Sequence, residues 1–310
     1  LLYCIATSSC MPFFSLLKPL AWIYFYFLNL RKYKTIISIS SSYNSKLVPK
    51  VKGQTHICYL LTPPKYLYEE KNELEFIRKF PFKLLFYPFI QFLRKIDIVR
   101  LNNVDILLTI SKEVQKRVSS YYRRNSQLLY PPVILPKKIG KRVASYFLFH
   151  SLLVKQKGVE LAVKTATKYA IPLKVIGEGY LKAKLLKIAG PTVQFLGWIP
   201  DNQLFEVYAS AKALLYCSID EDFGLVVIEA MGFGIPVIAY NSGGVKETII
   251  NQKTGLFFYE FTEEALYQTI VKSNEYTFDS KYIRLCAEKF NLVHFYRNFN
   301  VILDKKLVKI

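Results

Sequence analysis

From residue 145 onward the chain alternates between short unbroken apolar runs and longer stretches with one apolar face. The apolar runs occupy 146–150, 173–176, 193–196, 213–217, 237–240 and 255–259. Between them the helical spacing predicts helices over 159–169, 181–189, 201–211 and 244–250. Continuous apolar strands alternating with helices predict a parallel sheet covered on both faces. In such sheets ligands bind outside the carboxyl ends of the strands, near helix N-termini. Gly177-Glu178-Gly179, directly after a strand, and Ser242-Gly243-Gly244, directly before a helix, stand at those places. Each is equally compatible with an ordinary turn.

The first half is less regular. Strands are expected over 35–39, 57–62, 104–110 and 127–130, with Ser111 as N-cap of a helix over 112–122. The basic aromatic stretch FPFKLLFYPFIQFLRK, 80–95, fits either a helix with a wide core face or a surface facing a membrane or acceptor. Residues 12–30 are strongly apolar, but Lys18 and Pro19 leave too short a run to span a bilayer. That stretch reads as a buried helix, or as an interfacial element with Trp22, Tyr24 and Tyr26 at headgroup depth. No basic n-region with a cleavage site marks a signal peptide. The Pro- and Lys-rich segment 131–142, PPVILPKKIGKR, is the expected linker. Fewer strands precede it than follow it, and no Gly-rich first strand–helix turn appears, so the first domain is expected to be incomplete at its N-terminus. The expected domains are 1–133, 134–290 and a C-terminal helix over 291–310 packing back toward the first domain.

Composition narrows the class. With 310 residues and 52% hydrophobic content, two domains of ordinary size can each bury a core. Lys and Arg number 43 against 23 Asp and Glu, a formal charge of +20. An excess this large suits an anionic partner or a solvated surface. Nucleic acid is disfavoured, because neither zinc-ligand spacing nor an RNA-binding aromatic signature occurs. Five cysteines (Cys4, Cys10, Cys58, Cys217, Cys286) without CxxC spacing give neither a disulfide framework nor a metal cage, which suits a reducing cytoplasm. His56, His150 and His294 all lie among apolar residues and read as structural. Without GxGxxG or a suitably placed Tyr-x-x-x-Lys pair, a nucleotide-sugar isomerase or dehydrogenase is disfavoured.

The densest chemistry lies in 213–240, ALLYCSIDEDFGLVVIEAMGFGIPVIAY. An apolar strand meets the acidic turn Asp220-Glu221-Asp222. A Phe-Gly step then opens an apolar helix carrying Glu229, which Gly234 and Pro236 stop. A carboxylate in such surroundings costs several kcal/mol unless something hydrogen-bonds it. A polyhydroxylated ligand would do so.

On these residues the chain resembles glycosyltransferase family 4, retaining enzymes of the GT-B architecture. The similarity rests on E-x7-E in the form EDFGLVVIEAM, followed by G-x-PVIAY-x-x-GG-x-x-E. The segments YFLFHSLLVKQKGVELAV (146–163) and VQFLGWIPDNQL (193–204) look most like the bacterial mannosyltransferase branch of O-antigen and exopolysaccharide assembly. The resemblance implies an α/β fold of two Rossmann-like parallel-sheet domains facing across a cleft. The basic balance and the aromatic N-terminal surface would hold a peripheral enzyme at the anionic inner face of the plasma membrane. By the resemblance, that enzyme would move a hexose, mannose from GDP-mannose, to a polyprenyl-linked glycan acceptor with retention.

In that resemblance Glu221 contacts the donor sugar near the reacting carbon. The amides of Phe223, Gly224 and Leu225 open a helix whose positive end favours the sugar diphosphate. Glu229 accepts from the ribose hydroxyls, Lys157 binds the diphosphate, Gly177 admits the phosphates, and Trp198-Ile199 lines the base pocket. With Lys157 as the cation, no cofactor and no metal is expected. The Asp220-Glu221-Asp222 triplet is not read as a metal-binding DxD. Three departures stand out: Leu152 where the family has an arginine, Leu61 where it has a histidine, and Lys65 replacing a nearby arginine. They motivate the alternative of a degenerate GT-B protein that binds nucleotide without transferring sugar.

Overall fold

The computed structural model describes residues 27–41, 46–69, 82–137, 139 and 145–307. The chain divides into two compact units, Leu1–Leu129 and Tyr130–Ile310.

Among the described residues the first unit holds a four-stranded sheet, β1 (Thr35–Ser40), β2 (Thr55–Leu60), β3 (Ile106–Thr109) and β4 (Gln127–Leu128). All three pairings are parallel and follow chain order. Its helices are α1 (Lys65–Tyr68), α2 (Phe82–Leu101) and α3 (Lys112–Tyr122). The Ser111 hydroxyl accepts from Val114 N at 3.0 Å and caps α3, as expected. The strand expected over 127–130 ends at Leu128, because Tyr130 belongs to the second unit. There its hydroxyl donates to Glu247 Oε2 at 3.1 Å. Under α2 lies a buried polar cluster: Lys46 Nζ donates to Asp97 Oδ1 at 2.5 Å and to Tyr122 Oη at 2.6 Å. Tyr68 and Tyr122 both donate to Asp97 Oδ2. Burial holds the Lys46 ammonium below its ordinary pKa, while Asp97 opposes that shift. On the other side of α2, Tyr87, Phe89, Phe92, Ile98 and Val99 are exposed. Its apolar residues thus serve more than a core face.

The second unit holds a six-stranded sheet among the described residues, in the order β10-β9-β8-β5-β6-β7. The strands are β5 (Tyr146–His150), β6 (Leu173–Ile176), β7 (Val193–Gly197), β8 (Ala211–Tyr216), β9 (Val237–Tyr240) and β10 (Gly255–Phe258). Every pairing is parallel. The helices are α4 (Val159–Lys168), α5 (Lys182–Ile188), α6 (Asp201–Ala209), α7 (Leu225–Gly232), α8 (Glu263–Lys272), α9 (Ser280–Glu288) and α10 (Leu292–Leu307). Phe147, Phe149, Val175 and Leu215 from the sheet pack with Leu161, Val163, Leu185, Leu266 and Ile270 from α4, α5 and α8. The helix expected over 244–250 is a 3-10 turn, Gly243–Glu247. It stops because Ile250 N donates instead to Thr254 Oγ1 at 2.8 Å, a local side-chain competitor.

The start of the expected linker is docked on the second unit. Val133 N donates to Phe290 O at 2.8 Å, and Val133 bridges Asn291. Residue 138 and residues 140–144 lie outside the described residues, as do the apolar stretch up to residue 26 with its three aromatic anchors, Cys4 and Cys10. Cys58, Cys217 and Cys286 are buried and form no disulfide among the described residues. No helix among the described residues is long and apolar enough to cross a membrane.

Candidate functional site

Strand order locates the site. The chain builds β5, β6 and β7 outward in one direction, then returns to lay β8, β9 and β10 on the other side of β5. Connections therefore diverge above the carboxyl ends of β5 and β8, leaving a crevice where open α/β sheets bind ligands. Lys157 enters it from the turn after β5, and Glu221 from the turn after β8. Lys157 Nζ donates to Glu221 Oε2 at 2.5 Å. Tyr216 Oη, at 2.8 Å, and Ser218 Oγ, at 3.0 Å, donate to that same oxygen. Among the described residues Oε1 takes no hydrogen bond, so it is the oxygen available to a ligand hydroxyl. The carboxylate that looked in need of a ligand is thus anchored on one side by the protein itself.

Electrostatics follow from this arrangement. Burial alone would raise the Glu221 carboxyl. The Lys157 charge and the hydrogen bonds from Lys157, Tyr216 and Ser218 outweigh burial and hold it below the ordinary carboxylate value. Tyr216 moves the other way, raised by burial and by the Glu221 charge, and stays a hydrogen-bond donor.

The acidic turn is held from below by the glycine pair. Gly244 N donates to Glu221 O at 2.8 Å, and Asp220 N donates to Ser242 Oγ at 3.0 Å. A β-carbon at Gly243 would lie 2.2 Å from Glu221 O, so only glycine lets the two turns close. Ser242-Gly243-Gly244 therefore positions the site rather than opening a ligand-binding helix.

Gly224, at φ +89°, precedes α7. Amides in a first helical turn have no intrahelical partner and lie at the positive end of the helix dipole. Phe223 turns its side chain inward, its ring 5.5 Å from those of Tyr130 and Phe290. Only its backbone can serve a ligand. Leu225 is exposed at the head of α7. Glu229 lies one turn further along, half-buried, where its charge joins burial in raising the Tyr208 hydroxyl. That hydroxyl lies 2.6 Å from His150 Nδ1, and burial lowers the His150 pKa.

Gly177 has an internal reason to be glycine. At φ +126°, its β-carbon would lie 1.9 Å from Ser151 O, pointing into backbone rather than into open space. Ile199 is half-buried and Trp198 is 75% exposed, both just beyond β7. Leu152 is 63% exposed in the turn after β5, with no charge of its own to offer there. Leu61 and Lys65 belong to the first unit. Among the described residues no group of three or more His, Cys, Asp or Glu is set to hold a metal ion.

Glu221 and Lys157 are therefore brought together, while Phe223 and Gly224 lead into α7, which carries Leu225 and Glu229. Reading the sequence missed Tyr216, Ser218 and the His150–Tyr208 pair, whereas Ser242-Gly243-Gly244 was singled out and supports the acidic turn. Ser218 carried a signal, as a polar residue three positions before Glu221 at the end of an apolar strand.

Sequence comparison matches this unit directly. Residues 136–274 match the model of glycosyl transferases group 1. Beyond this group 1 match, the chain is 35% identical over 108 residues to a GDP-mannose-dependent alpha-mannosyltransferase of Mycobacterium tuberculosis. That alignment covers 35% of this chain and only 28% of the relative. The O-antigen chain mannosyltransferase RfbU of Salmonella typhimurium is 28% identical over 285 residues, covering 84% of this chain and 72% of RfbU. Among solved structures, sucrose-phosphate synthase from Thermosynechococcus elongatus superposes with a TM-score of 0.73 at 17% identity, over 98% of this chain and 82% of that one. Anabaena HepE in complex with UDP and glucose gives 0.69 at 15% identity, over 97% and 84%. At these identities the likeness shows the fold: two parallel-sheet α/β units of the GT-B class.

Proposed function

We propose that the chain is a retaining glycosyltransferase that moves mannose from GDP-mannose to a lipid-linked glycan acceptor in cell-surface polysaccharide synthesis. The observation that carries this reading is the Lys157–Glu221 pair at the crevice between β5 and β8. A departing diphosphate needs a cation, and the Lys157 ammonium supplies one without a metal. The oxocarbenium-like carbon left behind needs a nearby anion, and Glu221 supplies it, with Oε1 turned to the sugar. The acceptor hydroxyl attacks from the face the diphosphate leaves and passes its proton to the departing diphosphate oxygen, so configuration is retained. Ile199, Phe223, Gly224, Leu225 and Glu229 then bind the donor, while Gly177 keeps the turn after β6 docked against Ser151. Relatives named as GDP-mannose-dependent and O-antigen mannosyltransferases support this donor and acceptor class. The charge of +20 and the exposed aromatic side of α2 support a peripheral place on an anionic membrane face, the cytoplasmic one.

The test is GDP release and mannosyl transfer by the purified chain. Glu221→Gln and Lys157→Met should each cost roughly 10²–10³-fold in turnover. Unchanged turnover in both would remove the assignment. A second reading, a nucleotide-binding GT-B protein without transfer activity, is favoured by Leu152, exposed and uncharged beside the proposed diphosphate position. Nucleotide binding without product from any donor would establish it.

A further inference from the structure

We propose that Glu178 selects guanine as the base of the donor nucleotide. The proposal rests on the reading of the second unit as a GDP-mannose site and adds which side chain selects its guanine.

The turn after β6 is fixed on both sides. Gly177 presses against the Ser151 carbonyl, Glu178 O accepts from Leu153 N at 2.9 Å, and a β-carbon at Gly179 would lie 2.4 Å from Leu153 O. On the other flank Gly177 N donates to Gly197 O at 2.8 Å. Both neighbours of Glu178 must be glycine for this docking, so Glu178 contributes the turn's one side chain beyond hydrogen. Its carboxylate lies over the turn after β7, where a β-carbon at Gly197 would sit 3.0 Å from Oε1. Lys182 Nζ donates to Oε1 at 2.7 Å across an exposed i,i+4 pair.

Two exposed rings stand at the same edge. Trp198 directly follows Gly197, and Tyr180 is 69% exposed with its hydroxyl accepting from Lys155 N at 3.1 Å. Neighbouring strands lie about 4.8 Å apart, so the end of β7 is about 10 Å from that of β5. A nucleoside diphosphate with its phosphates at Lys157 spans that distance and lays its base against these rings.

The carboxylate decides which base. An ionised carboxylate only accepts hydrogen bonds, at about four lone-pair positions, so it can hold Lys182 and still accept two more. Guanine alone presents two adjacent donors, N1–H and the N2 amino group. Uracil sets its single N–H between two carbonyls, and adenine and cytosine pair one amino group with a ring acceptor. Each would turn a lone pair toward the carboxylate.

Calorimetry on the full chain with GDP, UDP, ADP and CDP tests the proposal. The unaltered chain should bind GDP at least tenfold more tightly than the other three. The size-matched E178Q and the truncated E178A should each lose that preference at unchanged Tm, with UDP affinity held within about twofold. A guanine preference that survives both substitutions overturns the role of Glu178 alone, and equal binding of GDP and UDP by the unaltered chain overturns it together with the choice of GDP-mannose as donor. Failure of every nucleotide to bind overturns it together with the donor-site reading.

Discussion

Lys157 and Glu221 stand 64 positions apart in sequence, yet their charged groups meet at 2.5 Å above the gap between β5 and β8. The pair is not fully solvated: the side chains are 27% and 17% exposed. Removing one partner therefore leaves the other partly desolvated and uncompensated. Lys157→Met and Glu221→Gln should be strongly non-additive in turnover, with the double variant little slower than the worse single one. Steady-state rates on the four-member cycle check this. Additive losses would mean that the two groups act independently.

The pH response of Glu221 has a definite sign. Its folded carboxyl titrates below the ordinary 4.5, so it contributes stability present above about pH 4.5 and lost as pH falls through the folded value. In Lys157→Met the opposing charge is gone, and burial, the largest influence, pushes the carboxyl upward. The acid limb of donor binding should then move to higher pH. Nucleotide affinity measured from pH 4 to 8 in both proteins would show the displacement. An unmoved limb would separate Glu221 from donor binding.

Three glycines should respond differently to alanine. Gly177→Ala and Gly243→Ala place a methyl 1.9 and 2.2 Å from the Ser151 and Glu221 carbonyls, and both have positive φ. Each should cost roughly 3 kcal/mol or more, and Gly243→Ala should also weaken donor binding by shifting the acidic turn. Gly53, at φ +88° with nothing within 4 Å of its would-be methyl, should lose only about 1–2 kcal/mol. Urea midpoints for the three variants give the ranking.

His56 should make the first unit acid-sensitive. Burial, only partly offset by the Asn103 backbone and Asp105, lowers its pKa from 6.5 to about 4. A histidine depressed in the folded state contributes stability present above its unfolded pKa and lost as pH falls toward the folded one. Between pH 6.5 and 4 the unit should lose roughly 3 kcal/mol, and His56→Gln should flatten that slope. Urea titrations across this window decide it. A flat profile in the unaltered chain would mean that His56 is not held neutral.

The chain's own alternation was enough to read the second unit. Its six apolar runs fall on β5 to β10, because strands buried on both faces must be largely apolar, and the edge strand β7 turns a side chain, Gln194, outward. Glu221 and Glu229 were legible for the same reason, as carboxylates conspicuous in an apolar frame. The first unit was harder, since β4 has only two residues and α2 places aromatic side chains outside as well as in. Tertiary structure alone decided which oxygen of Glu221 is anchored, because Tyr216 and Ser218 reach it only once β8 ends and the chain turns. It also decided that Gly177 and Gly243 answer to backbone carbonyls rather than to open space. Periodicity records which faces are buried. The distance between two turns of a sheet depends on strand order and register, and those are set only when β8 returns beside β5.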